Sequence, residues 1–210
     1  MISKQAKETG ILARLLEKCV KILVKKECKK IGKIKINIIA SSFQIIKGII
    51  EKIDIIAKDI NYKDLLFDEI ELEASDVKVI FRLKNKEFNF KNNIMIKFKI
   101  SLSENSLRTI LFSNSWDWVG GIISKGILNQ NELEDIRIKD DKILIKTSKG
   151  INKLNQKADI DIKAKDGRLY LENTEYNKSI RIPIEDKVCI EYVSIKNNLI
   201  KIFAKSSINF

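Results

Sequence analysis

The chain has 210 residues, of which 44% are hydrophobic, so it can bury a sizeable core and is not disordered over most of its length. Forty basic against 28 acidic residues give a formal net charge of +12. This excess favours a polyanionic partner, although a compositional bias toward Lys, Ile and Asn explains it equally well. The absence of histidine excludes histidine-based catalysis and removes the usual zinc ligand. One proline, eight glycines and no linker rich in either favour one continuous domain over residues 33–210.

Residues 1–32 are expected to form an N-terminal amphipathic helix. Thr9 is a suitable N-cap, residues 11–30 contain neither Pro nor Gly, and Gly32 is a suitable stop. One face is apolar and includes Leu12, Leu16, Cys19 and Leu23. The opposite face carries a basic stripe formed by Arg14, Lys18, Lys21 and Lys25. Such a helix either lies on an anionic membrane or packs on a sheet with its lysines in water.

The N-terminal segment does not resemble a signal peptide, because charged residues interrupt the apolar run that follows Gly10. No window approaches the roughly 18 uninterrupted apolar residues of a membrane span. We therefore expect a protein that is cytoplasmic, or peripheral on the cytoplasmic side of a membrane. Three cysteines without a CxxC pair agree with a reducing compartment. Cys28 is interpreted as an unreactive bystander thiol, and a thiol pKa lowered by the surrounding lysines is the alternative.

Residues 33–102 alternate between apolar and polar side chains, which predicts antiparallel strands with one buried face and one wet face. The alternation is clearest from Lys52 to Phe81, on both sides of a break at Tyr62-Lys63-Asp64. A change of phase at Ser75-Asp76 predicts a bulge. One strand face carries three carboxylates, for which pairing with neighbouring lysines is favoured over a cation site: Glu69, Glu71 and Glu73.

A second helical region follows, with Ser103 as its N-cap and either a kink or a division in its middle. Apolar residues recur at helical spacing, so we expect Trp118 to lie in the core. Trp116 is off that face and is expected at a rim, where an indole suits a membrane interface.

The last eighty or so residues return to short alternating segments separated by turn-forming pairs, which predicts a β-meander. The three pairs are Asp140-Asp141, Asp166-Gly167 and Asn197-Asn198. The predicted fold class is therefore α+β, with an N-terminal amphipathic helix and a mostly antiparallel sheet whose strands are interrupted by one helical region.

Several of these segments have a familiar pattern, in which a glycine precedes an alternating strand and a second alternating strand ends in alanine. They are Gly48–Ile60, Leu65–Ala74, Leu102–Leu107, Asp166–Leu169, Ile182–Ile184 and Asn197–Ile202. Over residues 34–210 the chain resembles the LmeA-like phospholipid-binding family, in its cyanobacterial type. The resemblance implies lipid binding and a tubular lipid-binding-like fold, in which a curved sheet wraps a central helix. It supplies no catalytic motif, so we expect a non-enzymatic protein.

In such a fold the inward residues would line an apolar trough, where each buried methylene of an acyl chain contributes about 0.8 kcal/mol. The expected lipid-binding residues are Ile55, Ile70, Leu72, Ile96, Phe98, Leu107, Leu111, Trp118 and Ile122. Lysines at the rim would meet the head group. The expected membrane-surface residues are Arg14, Lys18, Lys21, Lys25 and Trp116. No metal, cofactor or catalytic residue is expected.

Two alternatives stay open. The inward residues could fill a closed core, which would make the chain a basic interaction or scaffold protein. The charge alone also allows a weak nucleic-acid binder, but no specific nucleic acid is expected, because the sequence lacks an aromatic stacking platform and RNA-recognition signatures. The sequence leaves the lipid, the membrane and the oligomeric state open.

Overall fold

The computed structural model describes residues 10–82, 87–91, 93–129, 132–147 and 157–208. The prediction of an α+β fold with mostly antiparallel sheets and an N-terminal helix is confirmed. The helices are α1 (Ile11–Glu27), α2 (Ser42–Ile46), α3 (Glu104–Leu111) and α4 (Asp117–Leu128). The strands are β1 (Lys30–Ile39), β2 (Ile49–Tyr62), β3 (Leu65–Arg82), β4 (Glu87–Phe90), β5 (Ile94–Ser103), β6 (Leu133–Lys139), β7 (Lys142–Thr147), β8 (Lys157–Lys165), β9 (Arg168–Asn173), β10 (Lys178–Arg181), β11 (Val188–Lys196) and β12 (Leu199–Ile208).

The strands form two sheets. In the seven-stranded large sheet the order is β1-β2-β3-β5-β12-β11, with β4 paired to the far end of β3. The small sheet has the order β10-β9-β8-β7-β6. One face of the large sheet is apolar, and we call it the inner face. Its side chains include a row of cross-strand partners, namely Ile36, Ile55, Leu72, Phe98 and Ala204. The neighbouring row defines its outer face, namely Lys35, Ile56, Glu71, Lys99 and Phe203.

Two hydrophobic clusters share the inner face. One lies between α1 and strands β1, β2, β3 and the beginning of β5. The other joins β11, β12 and the end of β5 to α3, α4 and the small sheet. The boundary between them crosses β3 and β5, since each of these strands contributes residues to both clusters, so the two parts of one sheet face are covered by different elements.

Helix α1 is shorter than the sequence predicted. It ends at Glu27, because Cys28 is extended (φ −107°, ψ 135°) and the Lys29 N–H donates to the Asn61 carbonyl at 2.8 Å. Residues 30–32, expected in the helix or at its stop, begin β1 instead. Pairing with β2 satisfies their backbone groups better than a frayed last turn could. Thr9, the expected N-cap, lies outside the described residues.

The predicted turns are confirmed, and they have a common backbone conformation. Both residues of Asp140-Asp141, Asp166-Gly167 and Asn197-Asn198 have φ between 50° and 73°. Lys63-Asp64 closes the β2–β3 hairpin in the same way. Two successive positive φ angles match the right-handed twist of paired strands, and Asp, Asn and Gly adopt them most readily.

The change of phase expected near Asp76 is present, but no residue is inserted. Ala74 and Val77 both pack on the inner-face cluster, although they are an odd number of residues apart. The register between β2 and β3 continues unbroken across this point. The side chains change phase at Asp76, whose φ of 54° is left-handed, and Asp59 of β2 has the same φ. The predicted bulge is therefore replaced by a left-handed residue within a regular ladder.

The second helical region is divided into α3 and α4. The Ser103 hydroxyl accepts from the Ser106 N–H at 3.3 Å, which confirms the predicted cap. Glu104 of α3 accepts from the Ile138 N–H at 2.7 Å, and the Arg108 guanidinium pairs with Asp135. These contacts fix α3 to β6, and α4 packs on the small sheet with Ile123 and Ile127 buried.

Candidate functional site

Only part of the apolar surface of helix α1 packs on the large sheet. Ala13 and Leu16 are buried against the inner face, with Val20 and Val24 beside them. The Glu17 carboxylate accepts from the Ile38 N–H of β1 at 3.2 Å. The sheet therefore determines which side of α1 remains in contact with solvent.

Other apolar side chains of α1 are exposed to solvent. Ile11, Leu15 and Ile22 lie at i, i+4 and i+11, on one side of the helix. The next helix, α2, adds two further exposed apolar side chains close to the beginning of α1, where Gly10 adjoins Ser42. We call this surface the helical patch, formed by Ile11, Leu15, Ile22, Leu23, Phe43 and Ile46. Clustered exposed apolar side chains of this kind mark interaction surfaces in soluble proteins.

Sequence reasoning missed the contribution of α2. A signal was present, because Ser41 and Gln44 have the spacing of a capping box. The Gln44 N–H donates to the Ser41 hydroxyl at 3.2 Å, and the Ser41 N–H donates to the Gln44 side chain at 2.7 Å. This box starts a five-residue helix that presents Phe43 and Ile46 to solvent.

Basic side chains border the helical patch. The four residues of the predicted stripe, Arg14, Lys18, Lys21 and Lys25, are all exposed along one side of it. On α2, the Lys47 ammonium lies 4.1 Å from the centroid of the Phe43 ring. Cationic side chains therefore lie next to apolar ones, the arrangement found in helices that lie in the head-group region of an anionic bilayer.

The two tryptophans have the opposite of their expected surroundings. Trp116 is half-buried, packs on the cluster around α3 and α4, and donates its indole N–H to the Lys63 carbonyl at 2.9 Å. Trp118 is exposed and stacks on Trp116 with 6.0 Å between ring centroids. The prediction that Trp118 lies in the core was wrong, because the turn before α4 breaks the helical phase on which it depended. Phe112 and Ile122 are exposed in the same region.

A carboxylate joins the end of α1 to this aromatic region. Asp64, in the β2–β3 turn, accepts from the Lys29 ammonium at 2.7 Å and from the Ser115 hydroxyl at 2.9 Å. The bond from Lys29, followed by that from Ser115, lowers the pKa of Asp64. The β2–β3 turn therefore links the segment that follows α1 to the segment that precedes α4.

The expected trough residues do not form one continuous lining. Ile55 and Leu111 are buried, and five others are half-buried: Ile70, Leu72, Ile96, Phe98 and Leu107. Ile55, Leu72 and Ile96 belong to the cluster under α1, whereas Phe98, Leu107 and Leu111 belong to the other one. Trp118 and Ile122 are exposed on α4. A depression of about 390 Å³ lies next to them, between Leu111, Phe112, Trp118 and Leu133.

The outer face of the large sheet is polar and contains a groove of about 860 Å³. The three expected carboxylates are paired with lysines: Glu69 with Lys58 at 2.7 Å, Glu73 with Lys52 at 2.7 Å, and Glu71 with Lys99. The hydrogen bond from Lys58 lowers the pKa of Glu69, and that from Lys52 lowers the pKa of Glu73. The interpretation of a lysine-paired wet face is confirmed.

The Cys28 thiol is not activated by its lysine neighbours. Burial, followed by the charge of Glu27, raises the pKa of this thiol, contrary to the lowered pKa considered from the sequence. A raised pKa leaves less thiolate at neutral pH, so Cys28 is a poor nucleophile.

None of the helices in the described ranges combines the length and the apolar character needed to cross a bilayer. Comparisons with protein-family models, with curated proteins and with solved structures find no match to this chain.

Proposed function

We propose that this protein is a non-enzymatic, peripheral phospholipid-binding protein that attaches to anionic membranes through the helical patch. One observation carries the proposal: α1 and α2 expose a row of large apolar side chains beside a stripe of four basic residues. The apolar side chains would enter the boundary between head groups and acyl chains, and the basic ones would remain at the phosphates.

The magnitudes support reversible binding. Ile11, Ile22 and Phe43 are 85%, 67% and 65% exposed. Full burial of such a side chain contributes about 1.5–3 kcal/mol, so each of these contributes roughly 1–2 kcal/mol on insertion. A lysine or arginine near an anionic surface adds about 1 kcal/mol. The gross sum of about 7–10 kcal/mol, before the cost of ordering the protein on the surface, is enough for reversible attachment.

The finer part of the proposal concerns where a single lipid would bind. We place the acyl chain in the depression beside α4, between Leu111, Phe112 and Trp118, rather than along the whole inner face. This choice is supported by the division of the inner face between two packed clusters. The kinship with LmeA-like proteins, and a tubular arrangement with α4 as the central helix, belong to the same proposal.

The test is co-sedimentation with phosphatidylcholine vesicles, with and without an anionic lipid. We expect binding that requires the anionic lipid and weakens with salt, because exposed charges are screened. The double variant Ile22→Ser/Phe43→Ser should lose at least tenfold in vesicle affinity. The control Met95→Ser/Tyr176→Ser removes exposed apolar side chains elsewhere and should bind like the wild type. Equal vesicle affinity of the two double variants would refute the helical patch as the membrane contact.

Native mass spectrometry tests the finer part separately. The wild-type protein should retain a phospholipid, and Trp118→Ser, which removes an exposed wall of the depression, should not. Retention of lipid by that variant would contradict the acyl site while leaving the surface attachment intact.

A further inference from the structure

The outer face of the large sheet carries an aromatic pair that the membrane proposal does not use. Tyr192 of β11 is paired with Phe203 of β12, and their ring centroids are 5.8 Å apart at an interplanar angle of 47°. Tyr192 is 53% exposed. The described helices pack on the inner face or on the small sheet, and none of them covers this pair.

Lysines flank the aromatic pair in both directions along the strands. Lys201 and Lys205 precede and follow Phe203 on β12, each about 6.8 Å away along the strand. On β5, Lys97 is paired with Lys205 and Lys99 is paired with Phe203, and the Lys99 ammonium is 5.9 Å from the centroid of the Phe203 ring. Lys99 and Lys205 each pair with one glutamate. Among the described residues, Lys201 takes part in no ion pair, and Lys97 lies opposite Glu73 of β3, whose carboxylate is paired with Lys52.

The outer face is electrostatically divided. Its acidic side chains lie mainly on β2 and β3, where Lys52 binds both Asp54 and Glu73, and Lys58 binds Glu69. The half formed by β5, β12 and β11 is therefore the half that attracts anions. The groove of about 860 Å³ extends into this half, to Lys97, Lys99 and Phe203.

We propose that the β5–β12–β11 half of the outer face binds single-stranded nucleic acid. Unpaired bases would stack on Tyr192 and Phe203, while Lys97 and Lys201 hold phosphates on either side. A base can stack on an aromatic side chain only if its flat face is free, and in a duplex that face is covered by the neighbouring bases. Stacking does not select a sequence, because every base has such a face. Sequence patterns do not predict this platform, because the two aromatics lie on different strands and meet only through the β11–β12 register.

The experiment is fluorescence anisotropy with the full chain and a labelled oligonucleotide of about 12 nucleotides, a length within the usual site sizes. We expect Tyr192→Ala to weaken binding about tenfold or more, the loss that one stacked base typically causes. Lys97→Gln/Lys201→Gln should lower the slope of log affinity against log salt by about 0.7 per lysine. Tyr176→Ala, which removes an exposed tyrosine after β9, is the matched control and should bind like the wild type.

Several results would overturn the proposal. They are no binding by the wild type at about 50 mM salt, equal affinity for a duplex of the same sequence, and unchanged affinity of Tyr192→Ala. Loss of oligonucleotide binding in Ile22→Ser/Phe43→Ser would place the contact on the helical patch instead. Tyr192→Leu keeps apolar bulk without a ring, so a loss in this variant, with an unchanged circular dichroism spectrum, would assign the effect to stacking rather than to unfolding.

Discussion

Leu15 and Leu16 are adjacent in α1 but have opposite surroundings, so one substitution made at each should separate folding from membrane binding. Leu16 is 6% exposed and packs on the inner face of the large sheet, whereas Leu15 is 52% exposed in the helical patch. Replacement by alanine removes three carbons at both positions. Helix propensity changes equally at both, so the backbone contribution cancels in the comparison.

The structure gives different magnitudes for the two variants. Leu16→Ala should lower the free energy of unfolding by about 2–5 kcal/mol, the range for a buried leucine. Leu15→Ala should lower it by only about 1 kcal/mol, because half of the side chain is already in water. Each removed carbon contributes about 0.8 kcal/mol when it is buried, and only the exposed half of the Leu15 side chain can be newly buried in the membrane. The expected loss in vesicle binding is therefore about 1.2 kcal/mol. That loss is about eightfold in affinity.

Urea unfolding followed by circular dichroism measures the first quantity, and co-sedimentation with anionic vesicles measures the second. Leu16→Ala should be the less stable variant in urea, whereas Leu15→Ala should be the variant with the lower vesicle affinity. If folded Leu16→Ala lost more vesicle affinity than Leu15→Ala, or if both unfolded at the same urea concentration, the assigned orientation of α1 would be refuted.

Gly48→Ala should lower the free energy of unfolding by roughly 2–4 kcal/mol, because Gly48 has φ 71° and a Cβ would lie 2.0 Å from the Val79 carbonyl oxygen; a wild-type urea midpoint would contradict this. The lowered pKa of Asp64 stabilises the fold above the ordinary carboxyl pKa, and this contribution disappears as pH falls through the folded-state value. Asp64→Asn should therefore flatten the acid limb of stability against pH, and an unchanged limb would exclude the Lys29 contact as its cause. In a Cys19→Ser/Cys189→Ser background, Cys28 should react with a disulfide reagent more slowly at pH 8 than a model thiol, and a faster reaction would show an activated thiol.

Features that depend on local chemistry could be predicted from the sequence. Pairs such as Asp166-Gly167 identify the hairpins because few other residues accept two successive positive φ angles. The Ser103 cap and the paired carboxylates of β3 follow from short-range rules in the same way. Alternation also gave the correct inner face, since Ile55 and Ala57 of β2 are buried.

Features that depend on topology could not be predicted. Periodicity shows that Leu72 and Phe98 face inward, but not that Leu72 packs on the cluster under α1 and Phe98 on the cluster of α3, α4 and the small sheet. Helix α1 ends at Glu27 because the following residues pair with β2 instead of continuing the helix. Local helix propensity does not include this competition between two sets of backbone hydrogen bonds. The orientation of Trp118 depends on the turn between α3 and α4, whose geometry the apolar spacing does not determine. The proposed lipid site therefore rests on tertiary features rather than on the alternation of apolar residues.

The position of β12 has a consequence for biosynthesis. This strand lies inside the large sheet, between β5 and β11, although it is the final strand in the described part of the chain. While residues 104–198 emerge from the ribosome, β5 has one edge without a partner, and part of its apolar side remains uncovered. An unpaired strand edge is a template for association with another chain. The nascent chain is therefore most open to association with other chains in the interval between the synthesis of β5 and that of β12.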